Sequence, residues 1–153
     1  MAHSMDTTRL DEAVDSFISF IRSIPPQALE ASRTDGWGPR EVLIHLVFWH
    51  EQYASIATAV AAKKPPTLHA GAIREVNHLA VAQDAQTSVA ALIARWTKAN
   101  RQFAAVASKR SAAGLRIPLR EKSKAWPLAD LIRLAAGHIE KHQAKLRKTL
   151  YKS

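Results

Sequence analysis

The chain has 153 residues, 47% of them hydrophobic, which is enough for one domain with a real core and short for two. It contains no cysteine, so disulfides, thiolate metal ligands and a cysteine nucleophile are all excluded. The net charge of +9 is uneven: residues 1–90 hold seven Lys/Arg against ten Asp/Glu, and residues 91–153 hold fifteen against three.

Residues 1–5 read as a cloning remnant and start, which sets His3 aside, and residues 6–153 read as a single helical domain. The first helix is predicted from about Thr7 to Ile24, with Phe17, Ile18, Ile21 and Ile24 as its apolar stripe. Pro25-Pro26 ends it, because proline breaks the hydrogen-bond ladder and restrains its predecessor. The stretch QALEASRTDGWG reads as a turn or helical fragment. Pro39 suits a first helical position, and the second long helix runs from there to about Ala62, where Lys63-Lys64-Pro65-Pro66 stops it. Thr67 to Gly71 is a loop, and a short helix spans Ala72 to Gln83. Asp84 or Thr87 caps the third long helix, which runs to about Lys109 on a stripe of Val89, Leu92, Ile93, Trp96, Phe103 and Val106. Ser111 to Ala125 is a basic loop, and Pro127 opens the last helix, which reaches about Tyr151. Four long amphipathic helices and one short one give an all-α fold, a four-helix bundle with no sheet.

Three histidines stand out. His138 and His142 form a His-x-x-x-His pair, one turn apart on one helix face. His45 lies upstream in EVLIHLVFWH. The inward stripe of the second long helix reads Val42, His45, Leu46, Trp49, Tyr53, Ile56, Val60. That of the last helix reads Leu128, Leu131, Ile132, Ala135, His138, Ile139, His142, Leu146, Leu150. All three imidazoles therefore interrupt apolar stripes, where a polar group without a partner costs free energy. Two readings stand at this point: each histidine has its own hydrogen-bond partner in the core, or all three share one metal ion. Three neutral nitrogens with an open fourth position are the usual donor set of a catalytic zinc site. Around His45, Trp49 is expected to wall a pocket, Glu41 to lie at the surface in the helix's first turn or to orient the imidazole from there, and His50 to serve as a packing or pocket residue. His50 stands about 140° round the helix from His45, so the two do not share an ion. His69 and His78 are placed near a site mouth.

The basic excess of the second half reads first as a solvated face. Its functional alternatives are an anionic substrate or a nucleic-acid backbone, and no helix-turn-helix or basic-aromatic pattern supports specific nucleic-acid readout. No segment approaches 18 continuous apolar residues, so no membrane-spanning helix is expected. The N-terminus has no hydrophobic signal core, and the expected location is cytoplasmic.

The segments GWGPREVLIHLVFWHEQY and WPLADLIRLAAGHIEKHQAKL resemble the DinB/YfiT-like superfamily, with Trp37, His45, His138 and His142 on its pattern. The middle stretch, KKPPTLHAGAIREVNHLAVAQDAQTSVAALIARW, is similar to the ClbS/DfsB branch, where a proline-containing loop precedes an Asn-bearing helix. The resemblance implies a four-helix bundle with a three-histidine site at one end, a divalent ion (zinc or nickel) and a homodimer. It also implies a low-molecular-weight thiol as co-substrate and an S-transferase, isomerase or hydrolase acting on a small electrophile, in detoxification or resistance. A non-enzymatic protein that binds or sequesters a small molecule is the alternative, and an electrostatic nucleic-acid binder the weaker third.

Overall fold

A computed structural model describes residues 5–31 and 36–151. The expected remnant at Met1–Ser4 lies outside the described residues, as does part of the stretch before Trp37. The chain order is α1 (Thr8–Ser23), α2 (Pro26–Leu29), α3 (Pro39–Ala61), α4 (Ile73–Gln83), α5 (Val89–Ala107), a 3₁₀ turn (Ala112–Gly114), β1 (Arg116–Pro118), β2 (Ala125–Pro127) and α6 (Leu128–Leu150). The fold is mostly helical, and α1, α3, α5 and α6 supply most of one continuous core. None of the described helices is long and apolar enough to cross a membrane.

The expectation of no sheet is overturned. β1 and β2 pair antiparallel, with Ile117 opposite Trp126. Ile117 is fully buried, and β1 packs against both α3 and α6. Three residues per strand are too few to show an alternating pattern in a basic segment, so the hairpin hid inside the predicted loop. Pro127 closes β2 and hands the chain directly to α6.

The helix termini follow from local chemistry. At the start of α3, the Glu41 carboxylate accepts the Gly38 N–H at 3.2 Å, ahead of Pro39 at the first helical position. At its end, Lys64 N–H reaches Ala59 O at 2.9 Å and Lys63 N–H reaches Val60 O at 3.0 Å. That is a Schellman closure, and it puts Lys63 in the left-handed region at φ 59°. The cap of α5 is Ser88, whose hydroxyl accepts the Ala91 N–H at 3.1 Å. The two expected caps instead bond each other in the preceding turn, Thr87 Oγ1 to Asp84 Oδ1 at 2.9 Å.

The core centres on α3. Its predicted stripe is buried as far as Ile56, but Leu43, Ile44 and Val47 are buried too. The helix is covered by α5, α4, α6, α2 and β1, so one stripe underestimates it. Across the core, Phe17 of α1 meets Trp96 of α5 edge-on, ring centroids 5.6 Å apart. Arg95 ties three segments at the surface, bonding Glu51 of α3 at 2.6 Å and Asp84 at 2.8 Å. These two carboxylates, Glu51 first, raise the Arg95 pKa. On the other side, α1 and α6 are clasped by Arg9–Glu140 at 2.6 Å and by Gln143 donating to Ser16 at 3.1 Å.

Two outcomes test this packing. Phe103→Ala, emptying a fully buried site, lowers the unfolding free energy by about 3–5 kcal/mol in urea titrations. Lys63→Gly raises it by roughly 1 kcal/mol, because glycine relieves the left-handed penalty at a position already committed to it.

Candidate metal centre

The second and third turns of α3 and the middle of α6 face each other near the hairpin. His45 is buried, while His138 and His142 are half-buried. Their ring nitrogens converge. His138 Nε2 stands 3.1 Å from His45 Nε2 and 3.1 Å from His142 Nε2, and one nitrogen from each ring lies within 4.8 Å of the other two. Two nitrogens on a tetrahedral zinc with bonds of about 2.0–2.1 Å lie roughly 3.3 Å apart, close to the two 3.1 Å separations, which are also hydrogen-bond distances between the rings.

The electrostatics suit the same end. Burial pushes the His45 pKa down to about 3, helped by the two neighbouring imidazoles and opposed by Asn77. Burial likewise lowers His142 to about 4, reinforced by His138, Lys145 and Lys141, and it lowers His138 beside Lys141. Each ring is therefore neutral at pH 7, the form in which imidazole donates a lone pair to a metal. His45 Nδ1 is buried without a hydrogen-bond partner among the described residues. The ring is held by its contact with His138 on the other nitrogen and by packing, with Trp37 4.9 Å away centroid to centroid.

A cavity of about 610 Å³ opens on His45 and His138. Trp49, placed by sequence at the site wall, lines it, and its indole N–H donates to Asn77 Oδ1 on α4 at 2.6 Å. Tyr53 lines it one turn further on, its pKa pushed up to about 12 by burial, so it is a neutral phenol. His142 faces a separate hollow of about 80 Å³ with Trp37 and Lys145.

The other two expected pocket residues are elsewhere. Glu41 uses its carboxylate on the Gly38 N–H, at the start of α3, and does not line the cavity. His50 is turned away, into the contact with α1 and α5. Its Nε2 meets Asn100 Oδ1 at 3.0 Å, Asn100 donates to Asp11 at 2.8 Å, and Asp11 also accepts from Thr7 at 3.0 Å. His69 packs against Phe48 at 5.3 Å, and its carbonyl accepts the Glu121 N–H at 3.1 Å, joining the loop before α4 to the hairpin loop. His78 lines a more open hollow of about 900 Å³ beside Trp37. Sequence reasoning missed the cavity residues of the hairpin, Arg120 and Trp126, because only the unseen strand pairing brings them to the histidines.

His50 gives a pH prediction. Burial lowers its pKa to about 4, below the unfolded value of 6.5, while Asn100 and Asp11 pull the other way. Between these values the unfolded chain binds a proton that the folded chain refuses, so stability falls as pH drops from about 6.5 to about 4. His50→Gln removes its share of that slope. Thermal midpoints measured across the window check it, and equal slopes for the two proteins contradict the assignment.

No curated protein and no solved structure matches the chain. A family model described as the DinB superfamily matches residues 9–146, a span that holds all three histidines, the hairpin and most of every long helix. The chain belongs to the DinB superfamily.

Proposed function

We propose that the protein is a divalent-metal-dependent enzyme acting on a small electrophile, with zinc or nickel held by His45, His138 and His142. The observation that carries this reading is the convergence of three neutral imidazole nitrogens, two pairs at 3.1 Å, with His45 and His138 lining a cavity large enough for a small molecule. A bound divalent ion would supply acidification of a thiol or a water molecule at neutral pH.

The chain's own residues frame that chemistry. It has no cysteine, so the nucleophile comes from outside, as a low-molecular-weight thiol or water. Trp49 and Tyr53 give the cavity an apolar wall beside His45, against which the body of a small molecule packs. No carboxylate lines the cavity among the described residues, and Tyr53 keeps its proton, so the proton released from the nucleophile passes to solvent. The same lack of an acid–base pair favours a second reading, in which the protein binds and sequesters its ligand without turning it over.

The arrangement of α1, α3, α5 and α6 is read as the superfamily's four-helix bundle, and the stretch from Lys63 to Trp96 as that of the ClbS/DfsB branch. A cytoplasmic homodimer without specific affinity for nucleic acid completes the proposal.

The test is metal analysis of the untagged protein, followed by thiol conjugation of an electrophilic dye. One equivalent of zinc or nickel per chain is expected, and conjugation in the metal-loaded protein alone. His138→Ala abolishes stoichiometric metal binding and leaves helical circular dichroism nearly unchanged. Full metal occupancy in a variant with all three histidines replaced by alanine rejects the site. Metal binding with ligand capture and no turnover selects the sequestering reading.

A further inference from the structure

The cavity beside the histidines has a composition that metal binding alone does not require. Its lining carries three cations, Arg120, Arg133 and Lys141, and no carboxylate among the described residues. Elsewhere the chain pairs cations facing its helix contacts, as Arg9 with Glu140 and Arg95 with Glu51 and Asp84. In the cavity, Arg133 has Asp130 one turn before it, but neither Arg120 nor Lys141 forms an ion pair among the described residues. Between the cations the walls are apolar and aromatic, with Trp49, Leu119 and Trp126. A volume of about 610 Å³ is that of a small-molecule site. Such a lining repels a cationic ligand. It also leaves a neutral apolar ligand with no use for the charges. Arg120 is half-buried, which strengthens its attraction to an anion, while the exposed Lys141 adds a second charge at the cavity mouth that salt screens.

We propose that this cavity takes a ligand with an apolar, ring-sized body and one anionic group, the anion held by Arg120 and Lys141 and the body packed against Trp49, Leu119 and Trp126. Carboxylate, sulfonate and phosphate monoester share the chemistry that those two cations recognise. The inference rests on the proposed function in taking this ligand to be the substrate; its binding is measured independently of the metal.

The experiment titrates the full chain with two dyes of matched body, the anionic anilinonaphthalenesulfonate and the uncharged anilinonaphthalene, following dye fluorescence. The anionic dye is expected to bind at least about 10-fold more tightly, the order of a charge-assisted hydrogen bond, and to weaken as salt rises. Arg120→Gln and Lys141→Gln each weaken the anionic dye about 5- to 10-fold and leave the neutral dye unchanged. Lys98→Gln, on the exposed face of α5, changes neither. Trp126→Ala weakens both. Equal affinity for the two dyes overturns the proposal, as does an Arg120→Gln, Lys141→Gln double variant that keeps wild-type affinity for the anionic dye. A zinc titration of the same preparations separates the two readings. Zinc uptake without dye discrimination rejects this inference alone. Discrimination without zinc uptake rejects the metal reading and keeps the anion site. Parallel titration with benzoate and phenyl phosphate as competitors shows which anion the site prefers, and failure of both to displace the dye also overturns the proposal.

Discussion

Burial of α3 on nearly every side is the constraint from which the rest follows. A helix covered by five other elements has little outer face, and its exposed polar positions, Ser55 and Thr58, lie in its C-terminal half. Yet α3 carries two histidines, each almost fully enclosed. An imidazole enclosed without a partner costs on the order of 1–3 kcal/mol, a large fraction of the stability of a small domain. Each imidazole of α3 therefore needs a polar neighbour from another element.

The two needs are met in different ways. His50 receives an amide from α5, which is itself anchored to an aspartate of α1, so three helices are joined through one polar chain inside the core. His45 receives other imidazoles, none of which brings a negative charge. The first solution is complete within the protein. The second leaves three rings within reach of one another with lysines close behind them, an arrangement that disfavours protonation and keeps the imidazoles neutral. The same helix thus holds a structural histidine and a candidate ligand, told apart by what faces them.

Sequence made much of this legible, for reasons that can be named. The long helices were readable because each repeats an apolar stripe over many turns, and Pro25, Pro39 and Pro127 mark boundaries within a residue or two. The triad was readable because imidazoles in such stripes are conspicuous. Pro39 at the first helical position already puts Glu41 at the third, where a carboxylate reaches back to the N-cap amide instead of to His45. What escaped depends on contacts between distant segments. Nothing near His50 announces Asn100, which lies 50 residues away. The hairpin escaped because its strands are short and its one inward residue, Ile117, sits among cations.

The bond between the His69 carbonyl and the Glu121 amide has a consequence for how such a protein can change. The imidazoles stand on two long helices locked into the core. Part of the cavity wall, Leu119, Arg120, Ser123 and Trp126, stands on the hairpin and its loop, joined to the stretch before α4 by backbone atoms that any pair of side chains would supply. Replacement of a residue along that wall alters which molecules enter without disturbing the helices beneath. The hairpin's share of the cavity wall is thereby mutable apart from the helices that carry the imidazoles, whereas Arg133 and Lys141 share α6 with His138 and His142. A lineage can retune the hairpin wall while inheriting the imidazoles intact.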